Sequence, residues 1–334
     1  MVVLLFVLSI FAVSIPIAVA LAKGGAIIEL GLEMVLRREE VVLAGPGSLP
    51  DPIDAEGHVR RGNTFRRFGH VDRAIADHTK AIQLDPTNAI AYNDRGIAYE
   101  TKGNLEVALA DYNKAIELDP KRAVFVSNRA RVYGDKSDYE TAIANYTKAI
   151  ELQPDLANAH YYRGVAYYMK SDNIRAIADF TTAAELNPSN PQFVFMRGIA
   201  KYREGDFNGA AGDLSRSVEL KANIHAILFR YMAKTRAGET AATEFEATVS
   251  ALKTKDWPYV VSELFLGKRS PAATLDAATK ADERCEAQFY VGQWYILNRN
   301  PAEAARALQI VADTCPRTGI EYGVAVEELK RVNR

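Results

Sequence analysis

Side chains able to ligate a metal, attack a carbonyl or relay a proton are sparse in this chain. There are two cysteines, Cys285 and Cys315, and five histidines (His58, His70, His78, His160 and His225) that share no ligand spacing. No glycine-rich phosphate loop, no His-Glu-x-x-His and no serine flanked by the glycines of a nucleophile elbow occurs. The sequence thus predicts no catalytic residue, no cofactor and no bound metal, and reads as a non-enzyme. The charged residue that recurs in step is arginine. Arg61, Arg95, Arg129, Arg163, Arg197 and Arg230 are each followed sixteen residues later by Asp77, Asp111, Asn145, Asp179, Asp213 and Glu246. Such a row fits either a strip of guanidinium groups for anions or a set of bidentate pairs inside the fold. We adopt the internal pairs, because each arginine has its own partner at fixed separation.

The elements that must position this row repeat with the same period. Pro86, Pro120, Pro154 and Pro188 stand thirty-four residues apart, as do Gly62, Gly96, Ala130, Gly164 and Gly198. Phe65, Tyr99, Tyr133 and Tyr167 keep the interval, and so do Ala74, Ala108, Ala142, Ala176 and Ala210. Each unit holds two helix-length segments divided at Gly69, Gly103, Ser137, Ser171 and Gly205. A small residue on the first helix facing an alanine on the second lets the backbones approach. The proline ends the second helix because it cannot continue the hydrogen-bond ladder. One hairpin cannot bury its apolar stripe alone, so the units must stack. In an antiparallel hairpin the arginine and its partner sixteen residues on fall side by side, which is why the row reads as pairs. Cys285 and Cys315 open and close the last such hairpin. They are either a disulfide, worth about 3–4 kcal/mol on the chain-entropy estimate, or two small buried thiols.

This small–aromatic–Ala–Pro signature resembles the tetratricopeptide repeat (TPR) family over about residues 55–222. The resemblance implies an all-α fold, a right-handed superhelical solenoid of helix-turn-helix hairpins with a C-terminal capping helix over Ile320 to Val332. It also implies a concave groove, lined by the first helices, that binds segments of other proteins. Carried onto this chain, the groove positions are Asn63, Arg67, Asn93 and Arg131 in a polar zone, then Tyr161, Tyr168, Met169, Phe195 and Tyr202 in an aromatic one. Val59, Ile97 and Val124 stand where a carboxylate clamp for chaperone tails needs polar groups, so no such clamp is expected. The stretch from Trp257 to Tyr295 more loosely resembles NlpI-like bacterial envelope TPR proteins. That likeness implies an adaptor for cell-wall remodelling enzymes or proteolysis, without the lipid-bearing cysteine of that family.

The chain divides into residues 1–22 (a signal peptide or membrane anchor), 23–53 (a weakly structured segment and linker), 54–222 (five repeats), 223–284 (degenerate helical repeats) and 285–334 (a final repeat and capping helix). Residues 2–22 are uncharged and end in small-residue cleavage patterns, yet they are long enough to span a bilayer, so cleavage and topology both stay open. Lys and Arg total 41 against 42 Asp and Glu, a net charge of −1, which gives no electrostatic footprint for nucleic acid. The expected partners are proteins or peptides, envelope enzymes among them, with the membrane met only through the N-terminal segment. Homodimerisation is a further expectation. The reading is a protein-binding scaffold, periplasmic or exported. The alternatives are a cytoplasm-facing membrane-anchored assembly factor and an accessory subunit of an enzyme complex.

Overall fold

The computed structural model describes residues 51–333; the expectations for residues 1–22 and 23–50 lie outside the described residues. Five regular hairpins come first: α1 (Ala55–Arg67) with α2 (Val71–Leu84), α3 (Ala89–Thr101) with α4 (Leu105–Leu118), α5 (Ala123–Asp135) with α6 (Tyr139–Leu152), α7 (Ala157–Met169) with α8 (Asn173–Leu186), and α9 (Pro191–Glu204) with α10 (Phe207–Leu220). A looser pair follows, α11 (Ile224–Arg236) and the short α12 (Ala242–Ser250), then α13 (Tyr259–Phe265) and α14 (Pro271–Asp276). The last hairpin is α15 (Ala281–Leu297) with α16 (Pro301–Thr314), and α17 (Ile320–Val332) ends the chain. No strand occurs among the described residues, and the fold is an all-α solenoid. No described helix is long and apolar enough to cross a membrane.

The hairpin turns show why the dividing residue recurs. Gly69, Gly103 and Gly205 have φ of 79°, 79° and 92°, and Ser137 and Ser171 hold the same left-handed turn at 60° and 64°. Glycine enters that region without the steric penalty a side chain carries. Asp138, Asp172 and Asp206, just past the turn, accept backbone N–H bonds at the start of the second helix.

The arginine row is internal. Arg61, Arg95, Arg163 and Arg197 each hold their aspartate through Nε and Nη2 at 2.6–2.8 Å. Arg129 places both nitrogens on Asn145 Oδ1. The remaining nitrogen does something the pairing alone did not predict. Nη1 of Arg95, Arg129, Arg163 and Arg197 donates to Thr79, Asn113, Thr147 and Thr181, on the second helix of the preceding hairpin. Each guanidinium therefore fixes register within one unit and stacking onto the unit before. The row breaks at Arg230, which pairs with Glu244 and Thr248, while the expected Glu246 bonds Lys268. The short α12 carries its side chains in a different register from α10, which accounts for the exchange.

Cys285 and Cys315 are bonded, with Cα atoms 5.7 Å apart, joining the start of α15 to the end of α16. Within the hairpins, aromatic rings of the second helix fill the gap opposite the small residue of the first. A Cβ on Gly96 would lie 2.8 Å from the Tyr112 ring, and one on Gly164 2.9 Å from Phe180. In the first unit this slot holds His78, fully buried against Gly62, with neither ring nitrogen hydrogen-bonded. Burial lowers its pKa to about 4, partly offset by the charge of Asp94. An unfolded histidine takes up its proton near pH 6.5, so stability is lost as pH falls from there through about 4. Replacement by the ring used in the fourth unit, His78→Phe, should raise stability at pH 5 by about 1–3 kcal/mol. It should also flatten stability against pH across that window. Urea melts from pH 7 down to 4 check this; parallel pH curves for both proteins would contradict it.

Candidate functional site

The first helices pack on one another along the inner face, and their side chains meet across it in two different ways. From α1 to α5 the face is a hydrogen-bonded polar strip. Asn63 donates to Asp94 at 2.7 Å, Asn93 donates to the same carboxylate at 3.0 Å, and Asn128 donates to Asn93 at 2.8 Å. Arg131 is paired with Glu100, which also accepts from Tyr112 at 2.7 Å. Burial pushes the Glu100 carboxyl above the usual range, opposed by the Arg131 charge and the Tyr112 hydrogen bond. Between α5 and α7 the strip opens into a cavity of ≈ 290 Å³ lined by Val124, Ser127, Asn128, Arg131, Leu156, Asn158 and Tyr162. Tyr162 is 38% exposed on its rim and stacks on Tyr146, with ring centroids 6.1 Å apart.

From α7 onward the inner face is filled by the protein's own C-terminal helix. Tyr168 donates to the Ile320 carbonyl at 3.3 Å. The Arg203 guanidinium lies 4.8 Å over the Tyr168 ring and donates to the Tyr168 carbonyl and to Ser171. Gly323 lets α17 approach here, since a Cβ would stand 3.1 Å from the Tyr168 hydroxyl. Farther along, Glu328 of α17 is fully buried between Arg236, at 2.9 Å, and Arg331, at 2.8 Å. Arg331 also reaches the Arg203 carbonyl. Tyr202 donates to Gln293 of α15 at 2.8 Å and packs edge-on against Phe207 and Phe229.

This corrects the expected aromatic zone. Tyr168 (2% exposed), Phe195 (7%) and Tyr202 (0%) belong to the largest hydrophobic core and present no ring at an open surface. They are covered because α17 and α15 fold back against α7, α9 and α11. Met169 is half-buried beside a cavity of ≈ 250 Å³ at the foot of α17, and Tyr161 is half-buried among Tyr162, Phe180 and Phe193. In the polar zone Asn93 is buried and held by its neighbours, Asn63 and Arg131 are half-buried, and Arg67 is exposed at the end of α1. Asp94, Asn128 and Tyr162 were not singled out from the sequence. They recur at the thirty-four-residue interval, one position past Asn93, Ser127 and Tyr161, and that was the available signal. The capping helix itself does more than close the end of the stack. Glu328→Ala would leave Arg236 and Arg331 without their buried anion and should cost about 3–5 kcal/mol locally. Amide exchange should then quicken across residues 320–332 and stay unchanged in α1 to α6; uniform exchange across the chain would contradict this.

Three family models match: two described as tetratricopeptide repeat, over residues 59–123 and 157–190, and one as TPR repeat, over residues 130–171. No curated protein matches the chain. Among solved structures, one titled for the functional characterisation of pilF from Pseudomonas aeruginosa is 18% identical, with a TM-score of 0.55 over 68% of this chain and 97% of its own. PilW, titled a widely conserved type IV pilus biogenesis factor, is 18% identical with a TM-score of 0.53 over 59% of this chain and 92% of its own. A tetratricopeptide repeat protein from Parabacteroides merdae is 16% identical with a TM-score of 0.50 over 84% of this chain and 99% of its own. At these identities the likeness is one of fold, and it agrees with the hairpin stack described above. Residues 59–123 and 130–190 of the chain are tetratricopeptide repeats.

Proposed function

We propose that the chain is a non-enzymatic scaffold that holds an extended segment of a partner protein in the open half of its inner face. The observation that carries this is the contrast along the face. The stretch from α7 to α11 is occupied by α17, whereas the cavity between α5 and α7 stays open. Its lining suits a peptide backbone. Ser127, Asn128 and Asn158 offer donors and acceptors for main-chain amides, the half-buried guanidinium of Arg131 has N–H groups beyond those on Glu100, and Leu156 with Tyr162 forms an apolar wall. A preformed surface of this kind loses little conformational freedom on binding, so modest contacts suffice.

The same reading places the protein outside the cytoplasm, as an adaptor of the cell envelope serving cell-wall remodelling or proteolysis. Support comes from the signal-like residues 2–22 and from the bonded Cys285 and Cys315, which suit an oxidising compartment. A photo-crosslinking amino acid placed in cells at Tyr162, and separately at Ile174 on the outer α8, tests both parts. Adducts are expected from position 162, mapping to one segment of an exported protein and reduced at least about tenfold by Arg131→Glu. Adducts from position 174 alone would contradict the groove, and cytoplasmic proteins in the adduct would contradict the compartment.

A further inference from the structure

The histidines share no ligand spacing along the chain, yet the fold brings one of them to two carboxylates. His225 lies in the first turn of α11, Glu286 in α15 and Glu321 in the first turn of α17. One ligating atom from each lies within 4.8 Å of the others, and His225 Nε2 stands 3.6 Å from Glu286 Oε2. All three side chains are half-buried, so the two carboxylates exceed the one imidazole in a place where water screens them only in part. Trp257 donates to Glu286 Oε2 at 2.9 Å, the kind of outer hydrogen bond that orients a ligating carboxylate. A cavity of ≈ 290 Å³, lined by Gln192, Phe195, Asn223, His225, Ile320 and Glu321, opens directly onto the group.

A second observation points the same way. Tyr290 is fully buried, its hydroxyl has no hydrogen-bond partner, and it lies in the electrostatic field of Glu321 and Glu286. An unpartnered buried hydroxyl is costly, and Tyr290 stands one turn past Glu286 on α15. A cation carrying a water molecule would satisfy both.

We propose that His225, Glu286 and Glu321 bind one divalent transition-metal cation of the zinc class. Imidazole nitrogen with two carboxylates favours such an ion over calcium or magnesium, which take all-oxygen shells. Three protein ligands leave a fourth position facing the cavity, open to water or a small anion. Because the ligands come from α11, α15 and α17, the ion clamps the C-terminal helix into the inner face. It holds the end of α17 that Glu328 does not reach: Glu321 sits at the first turn of α17 and Glu328 near its last.

The test uses the full chain without an affinity tag, under non-reducing conditions so that Cys285 and Cys315 stay bonded, after EDTA treatment and dialysis. Titration calorimetry with Zn2+ alone should give one site per chain, and Co2+ should give the visible absorption of a four- or five-coordinate ion. The melting temperature should rise with added Zn2+. His225→Gln and Glu321→Gln should each weaken Zn2+ binding by about 100-fold or more, and Trp257→Phe by about tenfold. The variants' helix content in EDTA is compared with that of the parent. If His225→Gln does not fold, Glu321→Gln and Trp257→Phe supply the same reading. No Zn2+ heat and no Co2+ spectrum from the parent would overturn the proposal. So would binding that all three variants retain unchanged, since the ion would then sit elsewhere.

Discussion

Four guanidinium groups of the arginine row, those of Arg95, Arg129, Arg163 and Arg197, bond in two directions, and the regularity of the solenoid depends on that. Within a hairpin, Arg163 grips Asp179 with two parallel bonds; across the junction, its third nitrogen reaches Thr147 of the unit before. The pair is buried enough that neither partner tolerates loss of the other, yet such pairs contribute more to register than to net stability. A solenoid has only nearest-neighbour interfaces, so any slip in one junction would accumulate along the stack. The row keeps the inner helices in step and thereby sets the spacing of Asn63, Asp94, Asn93 and Asn128 across the face.

Where the row ends, the architecture changes. After Arg230 the partner helix shortens to nine residues, the next two helices are shorter still, and the path of the chain turns. That turn carries α15 and α17 back against α7, α9 and α11, where the largest hydrophobic core of the protein lies. In the regular half, by contrast, the apolar contacts are divided into small clusters between successive hairpins. One surface thus has two states of occupancy. Its C-terminal part is closed by apolar packing and by the Arg236–Glu328–Arg331 group, and its N-terminal part is left to solvent or a partner.

The sequence made the period, the hairpins, the arginine pairs and the cysteine pair legible because each joins residues a fixed, short distance apart. Asp77 lies sixteen residues from Arg61, and Cys315 thirty from Cys285. The inter-unit bonds to Thr79, Asn113, Thr147 and Thr181 were equally periodic but needed the stacking geometry to be recognised. The position of α17 was not legible. Tyr168 meets Ile320 across 152 residues and Arg236 meets Glu328 across 92, and no repeat relates them. Glu327, Glu328, Lys330 and Arg331 are all charged, yet Glu328 is buried with Val324 and Ala325 on the side that packs. The repeat places Tyr168, Phe195 and Tyr202 on the first helices of their hairpins, but nothing in the sequence shows what covers them. The same holds for His225, Glu286 and Glu321, which three separate helices bring together.

The most direct test of this account is a charge swap across one pair of the row, followed by urea unfolding of the single and double variants. Asp179→Arg and Arg163→Asp should each lower stability by about 3–5 kcal/mol, because each leaves like charges facing one another in a mostly buried site. The double variant restores opposite charges and should recover about 1–3 kcal/mol relative to the sum of the two. If the two losses simply add, within about 0.5 kcal/mol, the pair does not couple the helices and the arginine row is not what holds the inner face in register.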